Sequence, residues 1–325
     1  METIRHIGVL TSGGDAPGMN AATRAVVRTA LSHTIRVSGI MRGYTGLIEG
    51  DFLDMDARSV SNVIQFGGTI LKTSRSADFY EVAGRAKAAE RMRAHGIDAL
   101  IAIGGDGTFQ GLHKLEQEHG IPGIGVPGTI DNDVYGTDFT IGFDTAANTA
   151  LESIDKIRDT AASHDRMFFI EVMGRACGAL GLSVGLAGGA EAILIPEIPY
   201  DLDRLCRTLE HGRERGKTSF IIVVSEGVTE GGAREVAEGV KSQLGVGYRV
   251  NVLGHIQRGG APTAFDRQLA SRLGRAAVET LLAGGSSAMT GVSCGRVQLV
   301  PLRETWEKKS EIDEELLTVA EVVGS

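Results

Sequence analysis

Short apolar runs recur along the chain, and each is closed by glycines or polar turn residues before a helical pattern begins. The runs at 7–10, 99–103, 121–126, 168–172, 192–195 and 220–224 are strand-sized and nearly free of charge. That pattern fits strands covered on both faces. Periodic apolar positions at 19–31, 81–95, 145–162, 202–215 and 262–283 predict helices between them. Strand, loop and helix in alternation predict an open, mostly parallel α/β sheet. Ligands of such sheets bind beyond the carboxyl ends of the strands, which is where the glycine-rich loops of this chain fall. The charged segment 304–315 reads as a solvated helix or surface segment, and a domain break is expected near 139–144.

Composition narrows the function classes. A chain of 325 residues suggests two domains. With 33 Lys+Arg against 41 Asp+Glu, the formal charge is −8, which argues against a general nucleic-acid binder. Hydrophobic residues at 42% and charged ones at 23% exclude a largely disordered chain. Glycine is high at 45 residues and has no fixed period, so collagen is excluded and backbone brought close to ligands is suggested. Cys177, Cys206 and Cys294 are far apart and lack CxxC spacing. A disulfide framework or cysteine zinc cluster is therefore not expected, and a reducing cytosol fits. The N-terminal METIRHIGVL does not read as a signal peptide, and no apolar run is long enough to predict a membrane helix.

The strand-end loops carry the candidate chemistry. The run IAIGGDGT (101–108) ends a strand in three glycines and one carboxylate before a helix. Glycines admit phosphate oxygens to backbone N–H groups, and the helix dipole favours anions. Asp106 is then placed to hold Mg²⁺, although a plain helix cap is the simpler alternative. A second glycine loop, TSGGDAPGMN (11–20), repeats the device after the first strand. The string GIGVPG (123–128) matches GxGxxG but lies within and just after a strand, so the match is read as accidental. In PGTIDND (127–133), Asp131 and Asp133 sit two residues apart in one loop. They are candidates for a proton acceptor and its orienting neighbour, with an Asx-turn as the equal alternative. Arg75, Arg166, Arg175, Arg249 and Arg258 fall in loops or at element ends. On a net-negative chain they are the natural receptors for a polyanionic substrate. His255, beside Arg258, is read as a group recognising phosphate or hydroxyl.

Together these segments resemble the bacterial ATP-dependent 6-phosphofructokinases. The matching strings are GVLTSGGDAPGMNAA (8–22), GGT (67–69), IGGDGT (103–108), PGTIDND (127–133), GTDFTIGFDTA (136–146), EVMGRACG (171–178) and VLGHIQRGG (252–260). They occur in the family's order, and the ordered set is specific where GGDGT alone, shared with lipid and NAD kinases, is not. The resemblance implies two Rossmann-like three-layer domains with mostly parallel sheets. An ATP-binding domain would be built from 1–138 plus 252–302, and a sugar-phosphate domain from 139–251 plus 303–325.

The implied reaction is ATP plus fructose 6-phosphate to ADP plus fructose 1,6-bisphosphate, with Mg²⁺ at Asp106. Asp131 takes the role of general base on the sugar 1-hydroxyl, supported by Thr129 and Asp133, while Arg75 and Arg175 neutralise the transferring phosphoryl group. Gly14, Arg75, Ser76, Gly105, Asp106, Gly107 and Thr108 match the ATP site. Thr129, Ile130, Asp131, Met173, Gly174, Arg175, Glu226, His255, Ile256, Gln257 and Arg258 match the sugar-phosphate site. Arg166 and Arg249 match arginines that reach the 6-phosphate from a neighbouring subunit, which implies a cytoplasmic homotetramer with shared active sites. No nucleic-acid or membrane partner is implied.

Two family features depend on positions outside that core. Pyrophosphate-using relatives carry Asp and Lys where this chain has Gly107 and Gly128, so ATP is the expected donor and pyrophosphate the alternative. A catalytically silent nucleotide sensor is the alternative from another class. An effector site for ADP or phosphoenolpyruvate would draw on Arg24, Arg28, Arg158, Gly189, Glu191, Arg215 and Lys217. Family arginines there are replaced by Ala57 (with Arg58 next), Asp51 and Phe66, and a family Asp by Asn62. The expectation is a weakened or altered effector response. Ser76 replaces a family aromatic on the adenine side.

Overall fold

The structure, a computed structural model, describes residues 4–164 and 166–323. The chain opens with β1 (His6–Thr11), α1 (Met19–Ser32), β2 (Arg36–Ile40), α2 (Gly43–Glu49), β3 (Phe52–Met55), α3 (Val82–His95), β4 (Ala99–Gly104), α4 (Asp106–His119) and β5 (Gly123–Pro127). It continues through α5 (Phe143–His164), β6 (Met167–Val172), α6 (Ala179–Ala187), β7 (Ala192–Leu194), α7 (Leu202–Glu214), β8 (Phe220–Ser225), α8 (Gly232–Leu244) and β9 (Tyr248–Val252). The last elements are α9 (Ala264–Leu282), β10 (Ala288–Ser293), β11 (Arg296–Pro301), α10 (Glu304–Glu307) and α11 (Glu314–Val323). Two compact units result. The first comprises Met1–Thr129, Val134–Thr145 and Arg258–Ser310; the second comprises Ile130–Asp133, Ala146–Gln257 and Glu311–Ser325. The chain crosses between the units after Thr129, Asp133, Thr145, Gln257 and Ser310.

The first unit is built on a seven-stranded sheet in the order β11-β10-β5-β4-β1-β2-β3. The five inner strands are parallel, and β3 and β11 close the edges as antiparallel partners. Strands β1 and β4 are buried along their whole length, as their unbroken apolar runs require. Gly8 lets β1 sit close against its neighbours, since a Cβ there would lie 3.1–3.2 Å from Ile40, Ile97 and Leu100. Helices α1 and α9 pack against one another, while α2, α3 and α4 form the other helical group. Leu10, Ile40, Leu100, Phe109, Leu112 and Met92 meet in the core beneath the latter. Each such side chain contributes about 1.5–3 kcal/mol by leaving water. From β1 the chain moves outward to β2, whereas from β4 it moves the opposite way to β5. The switch point between β1 and β4 is thus flanked by the loops 12–18 and 105–108.

The second unit has an all-parallel sheet in the order β7-β8-β6-β9. Helices α7 and α8 cover one group of core residues, including Phe169, Leu209, Ile222 and Val236. Helix α6 packs on β7 and β8 and meets α11. Asp201 caps α7 by accepting from Arg204 N at 2.9 Å, which fixes where that helix begins. The chain crosses from β8 over β6 to β9, so the loops after β6 and β8 lie at this unit's own switch point. Among the described residues, no helix is long and apolar enough to cross a membrane.

Candidate active site

In the first unit the two glycine loops are tied into one site. Ser12 N donates to Ile103 O at 3.0 Å, bringing the end of β1 against the end of β4. Gly13, at φ 86°, leaves its Cβ position 3.7 Å from Thr108 Oγ1. Thr73 Oγ1 donates to Gly13 O at 2.8 Å, which anchors the segment carrying exposed Arg75 and half-buried Ser76. Gly14 is required by its neighbour: a Cβ would stand 2.4 Å from Arg258 Nη1, and that guanidinium donates to Asp15 O at 3.1 Å. Arg258, buried to 9% exposure, is therefore a brace of the first glycine loop.

The second loop presents an anion site at the start of α4. Gly105 is the N-cap, and Asp106 lies exposed in the first turn, accepting from Gly107 N at 2.7 Å. The Cβ directions of Gly105 and Gly107 meet nothing within 4 Å. Backbone N–H groups at a helix start, an exposed carboxylate and unfilled Cβ positions are what a phosphate chain with a hard cation needs. Thr108 is buried, and its carbonyl accepts from Tyr44 O–H at 2.6 Å, which holds the turn from behind.

The loop after β5 passes from one unit to the other. Thr129 N donates to Ile141 O, and Thr140 Oγ1 donates to Thr129 O at 2.7 Å. Ile130 and Asp131 are buried, Asn132 adopts φ 53°, and Asp133 is half-buried. Asp131 is 1% exposed and meets Arg175 Nε at 3.5 Å through Oδ2.

Arg175 is held in an unusual backbone state. Its φ is 53°, and Gly174 before it adopts φ 135° because a Cβ there would lie 2.5 Å from Cys177 O. A non-glycine residue with positive φ costs about 1–3 kcal/mol and persists only where its surroundings enforce it. Three contacts do so here. Arg175 N donates to Glu226 Oε1 at 2.8 Å, Cys177 N donates to Gly174 O, and Gly227 leaves room for Arg175 O. Met173 N in turn donates to buried Gln257 Oε1 at 3.1 Å. Burial and the carboxylates of Glu197, Asp133 and Asp131 push the Cys177 thiol up to about 11, so it is not a nucleophile at neutral pH.

His255 and Ile256 are exposed in the 3₁₀ turn 254–258. Arg166 precedes β6, and Arg249 on edge strand β9 pairs with Phe168.

The comparisons with known proteins decide the family. The family model described as Phosphofructokinase matches residues 6–281. The chain belongs to the phosphofructokinase family. It is 58% identical over 321 residues to ATP-dependent 6-phosphofructokinase 1 of Thermus thermophilus, covering 99% of this chain and 100% of that one. It is 52% identical to the ATP-dependent 6-phosphofructokinase of Cytophaga hutchinsonii, over 98% and 97% of the two chains. Phosphofructokinase from Saccharomyces cerevisiae superposes with TM-score 0.87 at 36% identity; 98% of this chain matches 47% of that one, so this chain spans about half its length. A pyrophosphate-dependent phosphofructokinase from Marinobacter aquaeolei gives TM-score 0.84 at 26% identity, over 99% and 92% of the two chains.

Within this phosphofructokinase fold, the positions matched to an effector site divide between the units. Arg24 and Arg28 lie on α1 of the first. In the second, Glu191 accepts from Ile221 N and Lys217 Nζ, the latter at 2.7 Å, with Arg158 Nη1 at 3.7 Å. Arg158 also donates to Gly188 O and to Gly189 O. Gly189 adopts φ 61°, and Arg215 is the exposed C-cap of α7. Asp51, expected to repel an anion, is met by Arg42 Nη2 at 2.9 Å, so part of its charge is already countered.

Several supporting residues were not anticipated from sequence. Asn20 donates to Phe66 O and Gly67 O and accepts from Ile70 N, binding the 66–70 loop to α1. Asp266, fully buried, accepts from Gly142 N, Thr145 N and Thr145 Oγ1. Glu171 accepts from Ala233 N at 2.8 Å at the start of α8. Their only sequence signal is a polar residue inside an apolar or glycine-rich string.

Proposed function

We propose that this chain is an ATP-dependent 6-phosphofructokinase, transferring the terminal phosphoryl group of ATP to the 1-hydroxyl of fructose 6-phosphate in glycolysis. The observation that carries the reading is the buried Asp131 carboxylate with the Arg175 guanidinium 3.5 Å away, in a loop at a strand end. Asp131 accepts the hydroxyl proton as the new O–P bond forms. Phosphoryl transfer passes through a loose transition state, so positioning and charge neutralisation outweigh strong basicity. The remaining N–H groups of Arg175, whose side chain is 51% exposed, donate to the transferring phosphoryl oxygens, with Arg75 as a second donor. Thr129 and Asp133 orient the loop. Met173, Gly174, Glu226, His255, Ile256, Gln257 and Arg258 shape the sugar-phosphate site.

The nucleotide is assigned to the first unit at Gly14, Arg75, Ser76 and 105–108. The exposed Asp106 and the open Cβ positions of Gly105 and Gly107 fit a magnesium–phosphate group there. Mg²⁺ held by Asp106 would supply positive charge to the phosphate oxygens. The open position at Gly107 supports ATP as donor, because no side chain narrows the loop. The likeness to pyrophosphate-dependent enzymes keeps pyrophosphate as the second reading.

A homotetramer is the assembly we assign. Arg166, just before β6, and Arg249, on the edge strand β9 that pairs with β6, are suited to meet a 6-phosphate held by another copy. Exposed Val252 and Ile256 beside them suit burial in such an interface. As a glycolytic enzyme it would act in the cytoplasm. The effector response is read as altered, because Ala57, Asn62 and Phe66 remove charge and Asp51 adds a carboxylate. A coupled assay with fructose 6-phosphate and Mg²⁺, run in parallel with ATP and with pyrophosphate, tests the reading. Turnover with ATP is expected; turnover with pyrophosphate alone, or with neither, would overturn it.

A further inference from the structure

Far from the glycine loops, the first unit carries a second constellation of ligating side chains. His6 opens β1, Ser38 lies on β2, Asp54 on β3, and His95 is the last residue of α3. Ser38 stands directly opposite Asp54 in the antiparallel pair, so the two share a face. His6 pairs with Arg36, two residues before Ser38, and therefore shares that face too. His95 closes the group from the helix, with its ring 4.7 Å from Phe52 and 5.6 Å from His6. The cluster marks the beginning of β1, whereas the glycine loop follows its end, about 17 Å along the strand.

We propose that His6, Asp54 and His95, with the Ser38 hydroxyl at a fourth vertex, form a binding site for a zinc-like divalent metal. One ligand atom from each of the three lies within 4.8 Å of the others. Ser38 Oγ is 2.8 Å from His6 Nε2, 3.1 Å from Asp54 Oδ1 and 3.3 Å from His95 Nε2, and the last two are 3.8 Å apart. Tetrahedral zinc with bonds of about 2.0–2.2 Å holds its donor atoms roughly 3.3–3.5 Å from one another. The observed edges straddle that value. The closing movement falls to Asp54 and His95, whose side chains are 72% and 35% exposed.

The proton inventory points the same way. Gly96 O can only accept, so His6 Nδ1, 3.0 Å from it, carries the hydrogen. With Nδ1 committed to that carbonyl, the other ring nitrogen, Nε2, is the one that faces the cluster. A histidine whose other nitrogen is fixed by a backbone carbonyl is the usual arrangement of a metal-bound imidazole. Ser38 has a single proton, yet both His6 Nε2 and Asp54 Oδ1 lie within its reach. Arg36 Nη2 stands 3.8 Å from the same Asp54 oxygen, and a cation at the centre would draw His6 Nε2 and Asp54 Oδ1 together where the one Ser38 proton serves a single acceptor. Two imidazoles and one carboxylate suit zinc and its neighbours rather than magnesium. Bound metal would pin edge strand β3 and the end of α3 to the sheet.

The test uses the full-length protein after chelator treatment. Co²⁺ binding is followed by visible absorption, and Zn²⁺ binding by calorimetry and the thermal unfolding midpoint. One ion per chain is expected, with a four-coordinate cobalt spectrum, and Zn²⁺ should raise the midpoint. His95→Gln and Asp54→Asn, at partly exposed positions, should each weaken binding by about 100-fold or more, while Cys294→Ser should not. Absence of binding, affinity unchanged in both variants, or loss of binding in Cys294→Ser would overturn the site. Magnesium at assay concentrations should not displace cobalt, which separates this site from the one assigned to Asp106.

Discussion

Arg175 Nε lies 3.5 Å from Asp131 Oδ2, and the two side chains stand at opposite extremes of exposure, 51% for the guanidinium and 1% for the carboxylate. The pair joins segments 44 positions apart in sequence. One end of the arginine steadies the buried carboxylate, and under the proposed reaction its other N–H groups would meet a phosphoryl oxygen. The arginine backbone sits at φ 53°, so the arrangement depends on the loop around it.

That dependence predicts the behaviour of Gly227. A Cβ there would stand 2.0 Å from Arg175 O, backbone that cannot move without shifting Arg175. Gly227→Ala should lower kcat by about 10- to 100-fold, since ångström-scale misplacement of catalytic groups has effects of that order. Stability should fall by about 1–3 kcal/mol. The KM for ATP should be nearly unchanged, because the loops proposed to hold the nucleotide belong to the other unit. Steady-state kinetics and thermal denaturation check both.

Gly107 tests the donor assignment. Its Cβ direction is open, so Gly107→Asp should fold with a stability change of about 0.5 kcal/mol or less. A carboxylate added beside the phosphates would repel them by roughly 4 kcal/mol at about 4 Å and an effective dielectric near 20. The kcat/KM for ATP should therefore fall by about 10³-fold. An unchanged value would remove this loop from the nucleotide site.

Asp266 sets a pH dependence of stability. Burial raises its pKa above the ordinary 3.8, outweighing its hydrogen bonds from Thr145 and Gly142. The folded state therefore binds this proton more tightly than the unfolded state. Asp266 contributes most below the unfolded pKa, and its contribution is lost as pH rises through the folded value. The stability of the wild type relative to Asp266→Asn should fall with rising pH across that window. Chemical denaturation at a series of pH values from acid to neutral measures the difference.

The parts legible in the sequence were those where one segment suffices. β1, β4, β6 and β8 are fully or almost fully buried and read as unbroken apolar runs followed by glycine or polar turns. The glycine loops and PGTIDND announced the candidate site for the same reason. Strand β11 was not anticipated: as an edge strand with most of its residues exposed, it has no apolar run to show. Strand β9 has no buried residue, three of its five being exposed, and is equally silent. Helix α3 buries Arg85, which holds Glu118 through two 2.7 Å contacts, so its buried face is not purely apolar. β5 begins at Gly123 rather than 121. The pairings of Arg175 with Asp131, Arg258 with Asp15 and His6 with Ser38 depend on tertiary placement, and no local pattern encodes them.

The most direct test of the proposed chemistry is Asp131→Asn, which keeps the side-chain shape and removes the proton acceptor. With saturating fructose 6-phosphate and Mg-ATP, kcat should fall by at least about 10²-fold, while ATP affinity stays within about twofold of wild type, the loops proposed for the nucleotide being untouched. Turnover equal to that of the wild type would contradict the assignment of Asp131 as the base.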